Sequence, residues 1–115
     1  KLLNTRCFIS QGNVMNLPYE KGTFDLITAF ETVYFWGNLQ KTFNEVHRVL
    51  KNGGLFLICC EASAPPEKTR KSRIDGMVVH SAQDLESCLA RCGFSNITTH
   101  RRNKENICVI AQKIQ

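Results

Sequence analysis

No apolar run in the 115 residues approaches the roughly 20 needed to span a bilayer, and no signal peptide is visible. A cytoplasmic protein is therefore expected. The chain begins with Lys1 rather than Met, which points to a processed product or a piece of a longer protein. No C-x-x-C pair occurs among Cys7, Cys59, Cys60, Cys88, Cys92 and Cys108. A zinc site would want short paired spacings with matching histidines, so no metal site is expected. Cys59, Cys60 and Cys108 lie in apolar runs, where cysteine acts as a small hydrophobe, and the six are read as reduced thiols of an intracellular protein. Internal repeats and low-complexity tracts are missing too. The net charge is +5, with basic clusters at Lys68, Arg70, Lys71 and Arg73 and at Arg101, Arg102 and Lys104. Aromatics do not interleave with them, which favours solvated loop charge over an RNA surface. With 43% apolar and 22% charged residues, the chain fits a single globular domain over 1–115 with a real core.

The most informative stretch runs from Thr23 to Glu61. Phe24-Asp25-Leu26-Ile27-Thr28-Ala29-Phe30 holds no Gly or Pro and suits a strand buried on both faces. Leu39, Phe43, Val46 and Leu50 recur at spacings of four, three and four, one apolar stripe of a helix. Gln40, Lys41, Glu45 and Arg48 fall outside that stripe. Asn38 is placed to cap the helix, and Lys51-Asn52-Gly53-Gly54 to close it in a flexible turn. Leu55 to Cys60 reads as a second buried strand. Strand, helix and strand at this length predict a right-handed crossover and a parallel pair.

The flanks are less regular. Cys7 to Gln11 reads as a short strand ended by Gly12, and Asn13 to Gly22 as a polar loop. Residues 62 to 76 read as a mobile loop or lid, and Met77-Val78-Val79 as a brief extended piece. Ser81 is placed to cap a helix, with Asp84 at the box position and Leu85, Cys88, Leu89 and Cys92 as its apolar stripe. Gly93 ends it, and Phe94 packs back upon it. Asn96 to Arg101 alternates as an edge strand. Ile107 to Ala111 is a last buried strand, antiparallel to it through a turn at Asn103 to Asn106.

Three quoted segments carry a resemblance: Asn16-Leu17-Pro18-Tyr19, Gly22-Thr23-Phe24-Asp25-Leu26-Ile27, and Glu45-Val46-His47-Arg48-Val49-Leu50-Lys51-Asn52-Gly53-Gly54-Leu55. Their order and spacing resemble the second half of a class I S-adenosylmethionine-dependent methyltransferase, of the small bacterial-type methyltransferase-domain group. The resemblance implies an α/β, Rossmann-like sheet, mostly parallel with an antiparallel C-terminal hairpin, and S-adenosyl-L-methionine as cofactor. It implies cofactor contacts from Asn13 and Val14 after the first strand and from the backbone of Ala29 and Phe30. It turns Glu31 and Tyr34 toward the reacting centre as candidate catalytic residues. Phe35 reads as core, His47 as structural, His80 as a pocket-mouth residue and His100 as solvated. Ile74 to Met77 would help close the substrate side.

The family's first βαβ unit, with its G-x-G-x-G turn and the acidic residue after its second strand, has no counterpart here. The chain read by itself is therefore expected to bind the cofactor poorly. Three functions compete. The first is part of a methyltransferase acting on a small molecule. The second is a non-catalytic methyltransferase-like interaction or assembly module, which pairs, as a homo-oligomer or with another chain, through exposed sheet edges. The third is an RNA-directed methyltransferase, resting on the positive charge alone.

Overall fold

The computed structural model describes residues 9–61, 70–71, 78–103 and 106–114. The first strand, β1 (Phe24–Phe30), leads through a single 3-10 turn (Val33–Phe35) to helix α1 (Leu39–Val49) and the long strand β2 (Leu50–Cys60). A short pair follows, β3 (Arg70–Lys71) against β4 (Val78–Val79), then α2 (Ala82–Arg91), β5 (Ser95–Arg101) and β6 (Ile107–Gln112). The main sheet runs β1-β2-β6-β5. β1 and β2 are parallel, as the crossover requires, and β6 is antiparallel to both its neighbours. The last strand thus inserts between β2 and the hairpin partner that precedes it.

Both helices start on the expected caps. The Lys41 N–H donates to Asn38 Oδ1 (2.9 Å) and the Asp84 N–H to Ser81 Oγ (3.0 Å), each satisfying an orphan donor of a first turn. Gly93 leaves α2 in the left-handed region at φ +95, where glycine carries no steric cost. Phe43 and Val46 of α1 and Leu85, Cys88 and Leu89 of α2 are buried against one face of the sheet. Phe56 is at the centre of that layer. Its ring lies 5.6 Å from Phe43, 5.8 Å from Phe94 and 6.5 Å from Trp36, centre to centre.

The opposite sheet face has no helix on it among the described residues. Leu26 and Phe30 stand 55% and 58% exposed there, and Leu55 is exposed beside them. Alternation explains the contrast: in β2, Phe56, Ile58 and Cys60 are buried while Leu57 and Cys59 between them are only half-buried.

Five expectations differ in the structure, the first being that β1 is buried on one face only, with Leu26 and Phe30 exposed on the other. Residues 9 to 11 form no strand, and Cys7 and Phe8 lie outside the described residues. Lys51 to Gly54 is not a free turn but the start of β2. Phe24 pairs with Leu50 and Leu26 with Leu55, so β1 advances two residues while β2 advances five. The surplus is absorbed at Gly53 (φ +86), whose N–H donates to the Lys113 carbonyl at 2.5 Å. Phe35 is 52% exposed rather than core. In a three-residue turn, side chains three apart align, so Val33 and Trp36 point inward and Phe35 does not. Finally, Glu45 and Arg48 are half-buried instead of solvated.

That last correction explains part of the sequence motif. Glu45 Oε2 accepts from the Leu17 N–H (2.6 Å), and both its oxygens accept from Arg48 (2.6 and 2.9 Å). The Arg48 guanidinium also donates to the Leu17 carbonyl (3.1 Å). One ion pair on α1 thus grips both backbone polar groups of Leu17 and fixes the loop that leads into β1. The Arg48 hydrogen bond, chiefly, holds the Glu45 carboxyl below its usual range.

Candidate functional site

The carboxyl ends of β1 and β2 open onto a cleft of about 640 Å³. In an open α/β sheet this is where ligands bind, since loops leaving the strands diverge there. Phe30, Cys59, Cys60, Ile107 and Cys108 form its apolar floor. Glu31 and Glu61 stand on one side, and His100, Arg101 and Arg102 at the end of β5 on another.

Glu31, which follows β1, is tied to the end of β2 and the residue after it. Its N–H donates to the Cys59 carbonyl (2.9 Å), and its Oε2 accepts from the Glu61 N–H (2.7 Å). Its φ of 60 puts a non-glycine residue in the left-handed region. Such strain costs of order 1–3 kcal/mol and is held by surrounding contacts, here those two hydrogen bonds. The carboxylate is thereby fixed at the rim, a geometry suited to orienting a polar group or accepting a proton. Phe30 presents its ring to the same cleft.

The other expected site residues are placed differently. Ala29 is buried in the core, so only its backbone is near the rim. Tyr34 lies in the 3-10 turn, and its side chain is outside what the structure describes. Asn13 is exposed, and its Oδ1 accepts from the Met15 N–H (2.9 Å) in a local turn, beside a bridge to Asn16. Asn13 and Val14 do not line the cleft, so the structure brings together Phe30 and Glu31 and leaves Asn13 and Val14 apart from them. Ile74 to Met77 and most of the first basic cluster fall outside the described residues.

Two features of the cleft escaped sequence reading. His100, Arg101 and Arg102 are brought to it by the insertion of β6, which no local pattern encodes. Cys59 and Cys108 face one another across β2 and β6, Sγ to Sγ at 2.7 Å. Burial, together with the Cys108 contact, pushes the Cys59 thiol up to about 11. The alternating apolar runs around both cysteines signalled strands, but not their register. His80 instead lines a separate cleft of about 410 Å³ with Gln40, Asp84 and Arg91, between the two helices. Its pKa is lowered chiefly by burial. His47 packs edge-on against Phe94 at 5.0 Å, a structural role, and burial lowers its pKa as well. No group of three or more metal-ligating side chains occurs among the described residues. Nor is any of their helices long and apolar enough to cross a membrane.

The family described as "Methyltransferase domain" matches residues 2–58. A demethylmenaquinone methyltransferase of Symbiobacterium thermophilum is 44% identical over 54 residues, covering 47% of this chain and 21% of that protein. A sterol 4-C-methyltransferase of Caenorhabditis elegans is 36% identical over 56 residues, covering 49% of this chain and 17% of its own length. The chain thus spans about a fifth of the length of these relatives. Among solved structures, an S-adenosylmethionine-dependent methyltransferase of Thermotoga maritima, described as a possible histamine N-methyltransferase, aligns with a TM-score of 0.72 at 18% identity. That alignment covers 92% of this chain and 64% of the other. Human N-acetylserotonin methyltransferase, solved with S-adenosylmethionine, also reaches 0.72 at 14% identity, covering 92% and 33%. Residues 2–58 thus match the methyltransferase-domain family, and the fold is the one seen in solved S-adenosylmethionine-dependent methyltransferases.

Proposed function

We propose that this chain supplies the acceptor-side wall of an S-adenosylmethionine-dependent methyltransferase acting on a small molecule, residues 1–115 being part of one methyltransferase domain. The observation that carries the reading is the cleft at the carboxyl ends of β1 and β2, with the Phe30 ring and the tethered Glu31 carboxylate upon it. Methyl transfer from a sulfonium is an in-line displacement, in which positioning and the exclusion of water matter most. Glu31 would orient the acceptor or take its proton, with Tyr34 beside it on the following turn. Phe30 and the Ala29 backbone would meet the methionine end of the cofactor, and Asn13 and Val14 its adenine. The relatives' names, a menaquinone precursor and sterols, support an apolar acceptor, and the apolar floor is consistent with one.

The residues present fit this cofactor in part. The strand-end rim is there, but no G-x-G-x-G turn exists in the 115 residues to let a backbone approach a nucleotide closely. Micromolar affinity for the chain alone is therefore not expected. Titration of isotopically labelled chain with S-adenosylmethionine, followed by amide NMR, tests the reading. Weak, millimolar perturbations confined to Phe30, Glu31 and their strand ends are expected. Shifts centred on the cleft between the helices, or micromolar binding by calorimetry, would overturn it.

A second reading, a non-catalytic assembly module, is favoured by one observation. β1 has a strand partner on one side only among the described residues, and Leu26, Phe30 and Leu55 leave its sheet face apolar and exposed. Sedimentation of the chain as a stable dimer that ignores S-adenosylmethionine would support that reading over the first.

A further inference from the structure

We propose that Cys59 and Cys108 form a reversible disulfide site, closed by a low-molecular-weight disulfide such as oxidised glutathione, that staples β2 to β6 beneath the cleft. Three observations carry it. The two residues are direct partners in the antiparallel register of β2 and β6. Such partners hold their Cα atoms about 4.5–5.5 Å apart. That lies inside the roughly 4.4–6.8 Å that a disulfide accepts, so the bond needs no backbone movement. Their sulfurs already touch at 2.7 Å, both as free thiols. Both are also half-buried rather than buried and line the open cleft, so a small disulfide reaches them.

The remaining described cysteines lack that combination. Cys60 is buried and registers opposite Ile107 rather than a cysteine, and Cys88 and Cys92 are buried under α2. The exchange balances without any further reactant. The thiolate of one cysteine attacks a sulfur of oxidised glutathione, forming a mixed disulfide and releasing one glutathione thiolate. The second cysteine, once deprotonated, attacks the protein-bound sulfur, closes the Cys59–Cys108 bond and releases the second glutathione. Two electrons pass from the cysteine pair to the reagent, and two protons leave the thiols. Because burial keeps the Cys59 thiol protonated at neutral pH, closure accelerates as pH rises. The bond would tie the two central strands together across the whole of α2 and β5, and remove both S–H groups from the cleft floor.

The test equilibrates the 115-residue chain with oxidised glutathione, blocks free thiols with iodoacetamide, and maps peptides by mass spectrometry. The expected result is loss of two of the six alkylatable thiols, recovered with dithiothreitol, and a single cross-linked pair joining the Cys59 and Cys108 peptides. The oxidised form should also denature at a higher urea concentration. In Cys108→Ser the link should vanish and Cys59 should stop at a glutathione adduct. Full alkylation of both cysteines after excess oxidant would overturn the proposal. So would a wild-type chain that stops at adducts, or a link to any other cysteine. The wild-type map decides the matter even if the serine variant does not fold.

Discussion

Replacing Phe56 with alanine should nearly unfold the protein. Phe56 is fully buried in β2 and is the ring that Trp36, Phe43 and Phe94 share, so it joins the residue after the 3-10 turn, α1 and the segment between α2 and β5 to the sheet. Truncating a buried Phe costs about 3–5 kcal/mol, from lost transfer energy and the cavity left behind. Loss of three aromatic pairs puts this site in the upper part of that range, since each pair adds about 0.5–1.5 kcal/mol beyond area. A domain this size has only about 5–15 kcal/mol in total. With a urea slope of about 1.5 kcal/mol/M, a loss of about 4 kcal/mol moves the midpoint down by about 2–3 M. Phe56→Leu keeps most of the volume and should cost less than about 1.5 kcal/mol. Urea denaturation followed by circular dichroism measures both. A midpoint for the alanine variant within about 0.5 M of wild type, at unchanged slope, would refute the placement of this ring at the centre of the core.

Gly54→Ala should destabilise by about 1–3 kcal/mol in the same assay, because a Cβ there would sit 2.9 Å from the Lys51 carbonyl and 3.1 Å from that of Asp25. A neutral outcome would mean that the surplus in β2 is looser than described. Glu45→Ala should cost more stability than Glu45→Gln, since only the glutamine keeps an acceptor for the Leu17 N–H; equal losses would show that the loop does not depend on that bond. Acid should destabilise the fold in two windows. His47 and His80 have folded-state values lowered from about 6.5, so their neutral forms stabilise the fold above that pH. The unfolded chain binds the extra protons, and that stability is lost as pH falls through the depressed values. Glu45, lowered from 4.5, contributes above that pH and loses its contribution as pH falls through its folded value. A thermal midpoint flat from pH 7 to pH 5 would contradict the histidine part.

The local signals in this chain were sufficient for its two helices. A four-three-four apolar stripe, Asn38 and Ser81 as caps and Gly93 as a terminator specify two helices, because each acts through hydrogen bonds and burial within a few residues. The Phe24 and Leu55 runs, separated by one helix, dictate a parallel crossover by chirality alone, and the motif string around them was enough to indicate the family. Glu31 and Phe30 could be put on the rim because strand ends are where such sheets open.

What tertiary structure decided is whatever depends on pairing between distant segments. Insertion of β6 between β2 and β5 sets Cys108 opposite Cys59 and brings His100, Arg101 and Arg102 to the cleft, and no short-range pattern specifies that order. The same insertion buries Lys113, whose Nζ donates to the Leu50 carbonyl at 2.9 Å. Glu45 and Arg48 looked solvated on a helical wheel, yet they hold the Leu17 backbone, a partner 28 and 31 residues away. Periodicity reports which side of an element is apolar, whereas only the packed chain determines which polar groups on its flank acquire a partner.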